Sequence, residues 1–113
     1  MPETAETLAA RLATGLKLLR EGRAAEAATE LEVVALDPDL AASDELRDVR
    51  ARALSLHAQA LAHSGRASEA LPFLEGALRL ARVVGDVEGV HEVEKLRDDI
   101  RLAAGLQHRG LPS

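Results

Sequence analysis

Apolar residues recur along most of this chain at spacings of three and four, the period of a helix rather than a strand. Leu8, Leu12, Leu16 and Leu19 form one stripe over residues 4–21, and Gly22 follows as a helix stop. Residues 24–36 repeat the pattern with Ala27, Ala28, Leu31, Val34 and Ala35, and Asp37-Pro38-Asp39 ends it. A third helix is predicted from Ser43 as cap, through Asp44 and Glu45 in its first turn, to His63. Its apolar positions are Leu46, Val49, Ala53, Leu54, Leu56, His57, Ala60 and Leu61, and Gly65 closes it. The fourth covers 67–84, with Pro72 placed near the first turn, where a missing amide donor matters less. Asp86 is positioned to cap a fifth, with Val87, Val90, Val93, Leu96 and Ile100 as its stripe to about residue 104. The two β-branched pairs, Val33-Val34 and Val83-Val84, sit inside helical periodicity. The expectation is an all-α fold of five antiparallel helices in one domain, residues 1–104. Residues 105–113, with two glycines and a proline, form the expected flexible tail.

Composition sharpens this reading. Ala and Leu supply 42 of 113 residues, while Trp and Tyr are absent and Phe occurs once, so the core must be built from small and aliphatic groups. The absence of Cys excludes a disulfide scaffold, a thiolate metal site and a cysteine nucleophile. An apolar fraction of 47% is too high for a disordered chain. No uncharged stretch approaches the roughly 20 residues that span a bilayer. The acidic start, Met1 to Glu6, lacks the basic and apolar regions of a secretory signal, so a cytoplasmic protein is expected. A net charge of −5 argues against nucleic-acid binding, and a single aromatic leaves little to stack a base. Arg outnumbers Lys 12 to 2, which, with the Ala content, is the codon signature of a GC-rich bacterial genome.

No catalytic constellation emerges, and an enzyme is the remote reading. His57, His63, His91 and His108 include no pair at the i, i+4 spacing of a helical metal site. Glu88 and His91 form one Glu-x-x-His unit, but a carboxylate-bridged di-metal bundle needs two, with two further Glu. His57 falls on the core side of its helix and reads as a packing residue. No serine lies in a Gly-x-Ser-x-Gly elbow, and there is no Gly-rich phosphate loop. No metal or cofactor is expected. The charge run from Glu92 to Arg101 reads as a solvated helix face.

The strongest signal is an internal repeat. Gly22-Arg23-Ala24-Ala25-Glu26-Ala27 and Gly65-Arg66-Ala67-Ser68-Glu69-Ala70 share Gly-Arg-Ala-x-Glu-Ala, offset by 43 residues. Here the chain resembles the tetratricopeptide repeat family, whose unit is a helix–turn–helix of about 34 residues. Leu54, Ala58 and Leu61 match the family's first-helix positions, and Ala70, Leu74 and Ala77 its second-helix positions. Gly15, Leu18, Ala27 and Leu31 match in the first copy, where Arg11 and Thr14 replace apolar residues. The link Gly85-Asp86-Val87-Glu88-Gly89 is similar to that of the longer-repeat variety. The resemblance implies a short right-handed α-solenoid: repeat 1 over about 4–38, repeat 2 over about 44–84, and a capping helix over about 86–104. A plain antiparallel bundle is the alternative.

The resemblance also implies a function. The family binds peptides or amphipathic helices of other proteins in a concave groove lined by its first helices. Carried over by position, that groove is lined by Leu12, Leu16, Leu19 and Arg20, facing Arg52, Ser55, Gln59 and His63. Leu12, Leu16, Ser55 and Gln59 stand where the chaperone-binding members carry a Lys and Asn carboxylate clamp, so that clamp is absent. The Leu strip has two readings, core packing or an exposed docking patch. The expected function is a non-catalytic adaptor or scaffold, and a self-assembling homodimeric module is the alternative.

Overall fold

The computed structural model describes residues 5–43 and 46–108, with the side chains of residues 5, 39, 41 and 106–108 left aside. Five long helices form: α1 (Ala5–Arg20), α2 (Ala24–Ala35), α4 (Arg47–His63), α5 (Ala67–Val84) and α6 (Val87–His108). A single turn, α3 (Pro38–Ala42), intervenes. No strand occurs among the described residues.

Three departures from expectation have local causes. Pro38 does not merely end α2; it opens α3 at its first position, and the Asp37 carboxylate accepts the Leu40 amide at 2.8 Å. Ser43 therefore closes α3 instead of capping α4, which starts at Arg47 with no side-chain cap; Asp44 and Glu45 lie outside the described residues. The helical part of α6 extends through Gly105 to His108, into the segment expected as tail, and residues 109–113 lie outside the description. Pro72 is the sixth residue of α5 and so lies in its second turn rather than near its first. The exposed positions of Pro72 and Ser68 leave water to serve the carbonyl that lost its partner.

The 43-residue repeat is reproduced in the turns. Gly22 and Gly65 adopt φ of 78° and 83°, a left-handed conformation that lets each chain reverse. The Arg23 amide then donates to Leu18 O at 2.9 Å, and the Arg66 amide to Leu61 O at 2.8 Å. The same arginines pair with Glu26 and Glu69, bracing the first turn of α2 and of α5. The third link turns in the same way, with Gly85 left-handed and the Asp86 amide donating to Ala81 O at 3.0 Å, but here the side chain is an acid: Asp86 caps α6 by accepting the Gly89 amide at 2.9 Å. A side chain at Gly89 would collide with that carboxylate, whereas Gly85 answers to its positive φ.

Packing follows chain order: α1 on α2, α2 on α4, α4 on α5 and α5 on α6. Small residues set the spacing. Ala27, Ala53, Ala58, Ala60, Ala70 and Ala77 are wholly buried, with Leu8, Leu31, Leu74 and Leu78 filling the space between them. Gly15 corresponds to Ala58 in the repeat, and a Cβ there would overlap Leu31, so α1 lies closer to α2 than an alanine allows. The Leu strip of α1 divides: Leu8 and Leu12 belong to the core, whereas Leu16 and Leu19 are half-buried at its edge. Arg11, at an apolar position of the repeat, is half-buried and bridges to Glu30 of α2 at 3.2 Å. Arg97 departs from the solvated-face expectation. Its side chain is 18% exposed and pairs with Glu75 of α5, as does Arg101 at 3.4 Å.

Candidate functional site: the hollows between α1, α4 and α6

The helices α1, α4 and α6 share one side of the stack, and the hollows of the molecule open between them. All eight residues predicted for the groove line these hollows. Leu12, Leu16 and Arg52 border one between α1 and α4, of about 360 Å³. Leu19, Arg20, Gln59 and His63 border a second, of about 350 Å³, toward the Gly22 turn, with Leu16 shared between the two. Ser55 lies on the opposite flank of α4, together with Arg52 and Gln59. Leu12 reaches the groove only at its edge, being 9% exposed and part of the core. The predicted apolar surface therefore reduces to Leu16 and Leu19 beside the exposed Arg20, Arg52 and His63.

A third hollow, larger than these two, was not predicted. A trough of about 930 Å³ runs between α4 and α6, and part of α5 forms its floor. Ala77 and Ala81 keep that floor low, and Leu56 and Val93 form the apolar base of its walls. Val84, 42% exposed, forms an apolar lip near the α5–α6 link. The walls differ in charge: Arg47, Asp48 and Arg52 come from α4, Asp86 and Glu92 from α6. A sequence signal existed in the small residues Ala77 and Ala81, one turn apart on α5, but it reads equally well as helix packing.

His57 lies outside this face, 3% exposed between α4 and its neighbours, with its ring edge-on to Phe73 at 4.4 Å between centroids. Burial pushes its pKa below the ordinary value and Arg66 acts the same way, against the Glu32 charge and the Ala28 carbonyl. Its Nδ1 is buried without a hydrogen-bond partner. Packing is thus its evident role, as its core-side position implied. Glu88 and His91 are both exposed on α6, and no group of metal-ligating side chains gathers among the described residues. None of the helices is long and apolar enough to cross a membrane among the described residues.

No family model, curated protein or solved structure matches this chain.

Proposed function

We propose that this chain is a non-catalytic adaptor, similar to tetratricopeptide repeat proteins, that holds a segment of another protein on its concave face. The single observation that carries the reading is the convergence of Leu16, Leu19, Arg20, Arg52, Gln59 and His63 on adjoining open hollows. Half-buried leucines beside Arg20 and Arg52, which have no ion partner among the described residues, offer apolar contact and hydrogen-bond donors together, the composition of a protein-binding surface. A bacterial setting is the one that the Arg- and Ala-rich composition supports.

The self-assembly reading has less support. The outward face of α6 presents His91, Lys95 and Asp98 between the exposed Val87 and Leu102, and the outward face of α1 presents Glu6, Ala10, Ala13, Thr14 and Lys17. Such polar or small-residue surfaces suit the closed ends of a stack better than a continuing one.

Affinity capture from an extract of the source cells tests the adaptor. Two variants are compared with the wild type: Leu16→Lys, and the doubly exposed pair Arg20→Glu with His63→Glu, each checked for an intact fold by circular dichroism. Proteins held by the wild type and lost from both variants would support the reading. An identical captured set in all three, or none above background, would sink it.

A further inference from the structure

Among the described residues, His57 is the only ionisable side chain that the core encloses. The internal repeat identifies what encloses it. At the offset of 43 residues His57 corresponds to Thr14 of α1, which is exposed and donates its hydroxyl to the Ala10 carbonyl at 3.0 Å. Each of these two helices packs on the second helix of its own hairpin, α1 on α2 and α4 on α5. In addition, α4 carries a preceding hairpin, whose α2 packs on it. The α1–α2 hairpin is therefore the cover over the imidazole, and Thr14 shows the exposure of that position without one.

The surroundings of the ring suit its neutral form. From α5 the group against it is Phe73, edge-on at 4.4 Å between centroids. One turn to either side on α4 stand Ala53, Leu54, Ala60 and Leu61, all buried and apolar. From α2 come the exposed Glu32 and the Ala28 carbonyl, and from the α4–α5 link the exposed Arg66, itself paired with Glu69. Protonation makes both ring nitrogens donors, and Nδ1 is buried without a partner to accept. Burial is the largest influence and holds the pKa down; Glu32 and the Ala28 carbonyl oppose it, and Arg66 adds to it.

We infer that the contact between the two Gly-Arg hairpins is an acid-released latch: a proton taken up by His57 frees the α1–α2 hairpin from α4, while α4, α5 and α6 stay packed. The links decide which side yields. A tight turn ties α4 to α5, with the Arg66 amide on Leu61 O at 2.8 Å. Between α2 and α4 runs a longer segment, residues 36–46, that holds the core through Leu40 of the single-turn α3. Once the hairpin has moved away, the ring is hydrated and titrates as an ordinary histidine. The closed state is thus fully favoured above a pH of about 6.5, weakens as pH falls through that value, and stops weakening below the lowered pKa of the closed state. The hollows that α1 shares with α4 exist only while the latch is closed, so opening discharges whatever they hold. That last step alone rests on the adaptor reading.

Amide hydrogen exchange of the full chain, read helix by helix by mass spectrometry, tests the latch at pH 7 and pH 5 after correction for intrinsic exchange rates. Protection of α1 and α2 should fall together, by at most roughly 25-fold, the ceiling for one imidazole of ordinary pKa that stays unprotonated in the closed state. Protection of α5 and α6 should not change between the two conditions. His57→Leu and His57→Gln cannot take up the proton, and in each variant that folds by circular dichroism the response of α1 and α2 should vanish. An equal loss in all five long helices, a loss confined to α5 and α6, no loss at all, or a loss that persists in the variants overturns the inference. Affinity capture at pH 7 with the Leu16 variant judges the adaptor reading separately from every one of these outcomes.

Discussion

Gly15 sits in mid-helix, where glycine is a poor choice unless a neighbour demands it. Replacing it by alanine adds one methyl group, which would overlap Leu31 Cγ and Cδ2 and lie 3.1 Å from Cδ1. Leu31 is wholly buried, so its side chain cannot give way into solvent. Two opposing effects can be weighed. Alanine favours the helix over glycine by about 0.8–1 kcal/mol. Forcing an extra carbon into a filled core costs about 1–3 kcal/mol. Gly15→Ala should therefore destabilise by about 1 kcal/mol, a fall of roughly 4–5 °C in Tm for a domain of this size. The decisive measurement is a double-mutant cycle. Leu31→Ala alone should cost about 2–5 kcal/mol. In that background the obstruction is gone, so Gly15→Ala should become stabilising by about 1 kcal/mol. Gly76→Ala is the control, because its Cβ would meet Leu54 Cδ1 at an ordinary 3.4 Å, and it should be neutral or stabilising. Urea and thermal melts followed by far-ultraviolet circular dichroism suit a chain without Trp or Tyr. If Gly15→Ala stabilises equally in both backgrounds, close approach is not the reason for the glycine.

Two further outcomes follow from buried or misfit groups. The His57 pKa is lowered in the folded state, so the unfolded chain binds the proton more readily. Stability should fall as pH drops below the ordinary histidine value of about 6.5, and this loss should level off below the depressed folded value. Urea midpoints across that window should show a shallower slope for His57→Leu; an unchanged slope would remove His57 as the cause. Pro72→Ala should restore an amide donor to the Ser68 carbonyl and raise stability by roughly 1–2 kcal/mol, part of the helix gain being offset by a freer unfolded chain. A lower Tm for that variant would show that the proline ring packs usefully.

The long helices were legible because each carries an unbroken stripe and a glycine or Asp-Pro boundary. The bounds of α5 coincide with those read from periodicity, and Asp86 caps α6 as its position suggested. The short α3 was missed although Asp37-Pro38 is a start signal as well as a stop signal; a single turn is too brief to show a period. Misplacing Ser43 followed from that omission. The predicted groove residues do share one face, because the period of a helix fixes which side each residue occupies. The α4–α6 trough was not legible. Periodicity assigns residues to faces, but the gap between two helices that flank a third depends on the sizes of Ala77 and Ala81 and on how α6 leans on α5. Arg97 shows the same limit: its identity suggested solvent, yet Glu75 on the neighbouring helix holds it half-buried.

The order of packing along the chain bears on how the molecule folds. Because each long helix meets chiefly the one before and the one after it, either Gly-Arg hairpin can form before the other without closing a long loop. The helix α4 belongs to both halves, as it packs on α2 and on α5. Its amides should therefore exchange with solvent only on global unfolding, whereas α1 and α6, each resting mainly on one neighbour, should open first and separately. The trough takes one wall from α4 and the other from α6, so one side of that surface can loosen while the other stays fixed.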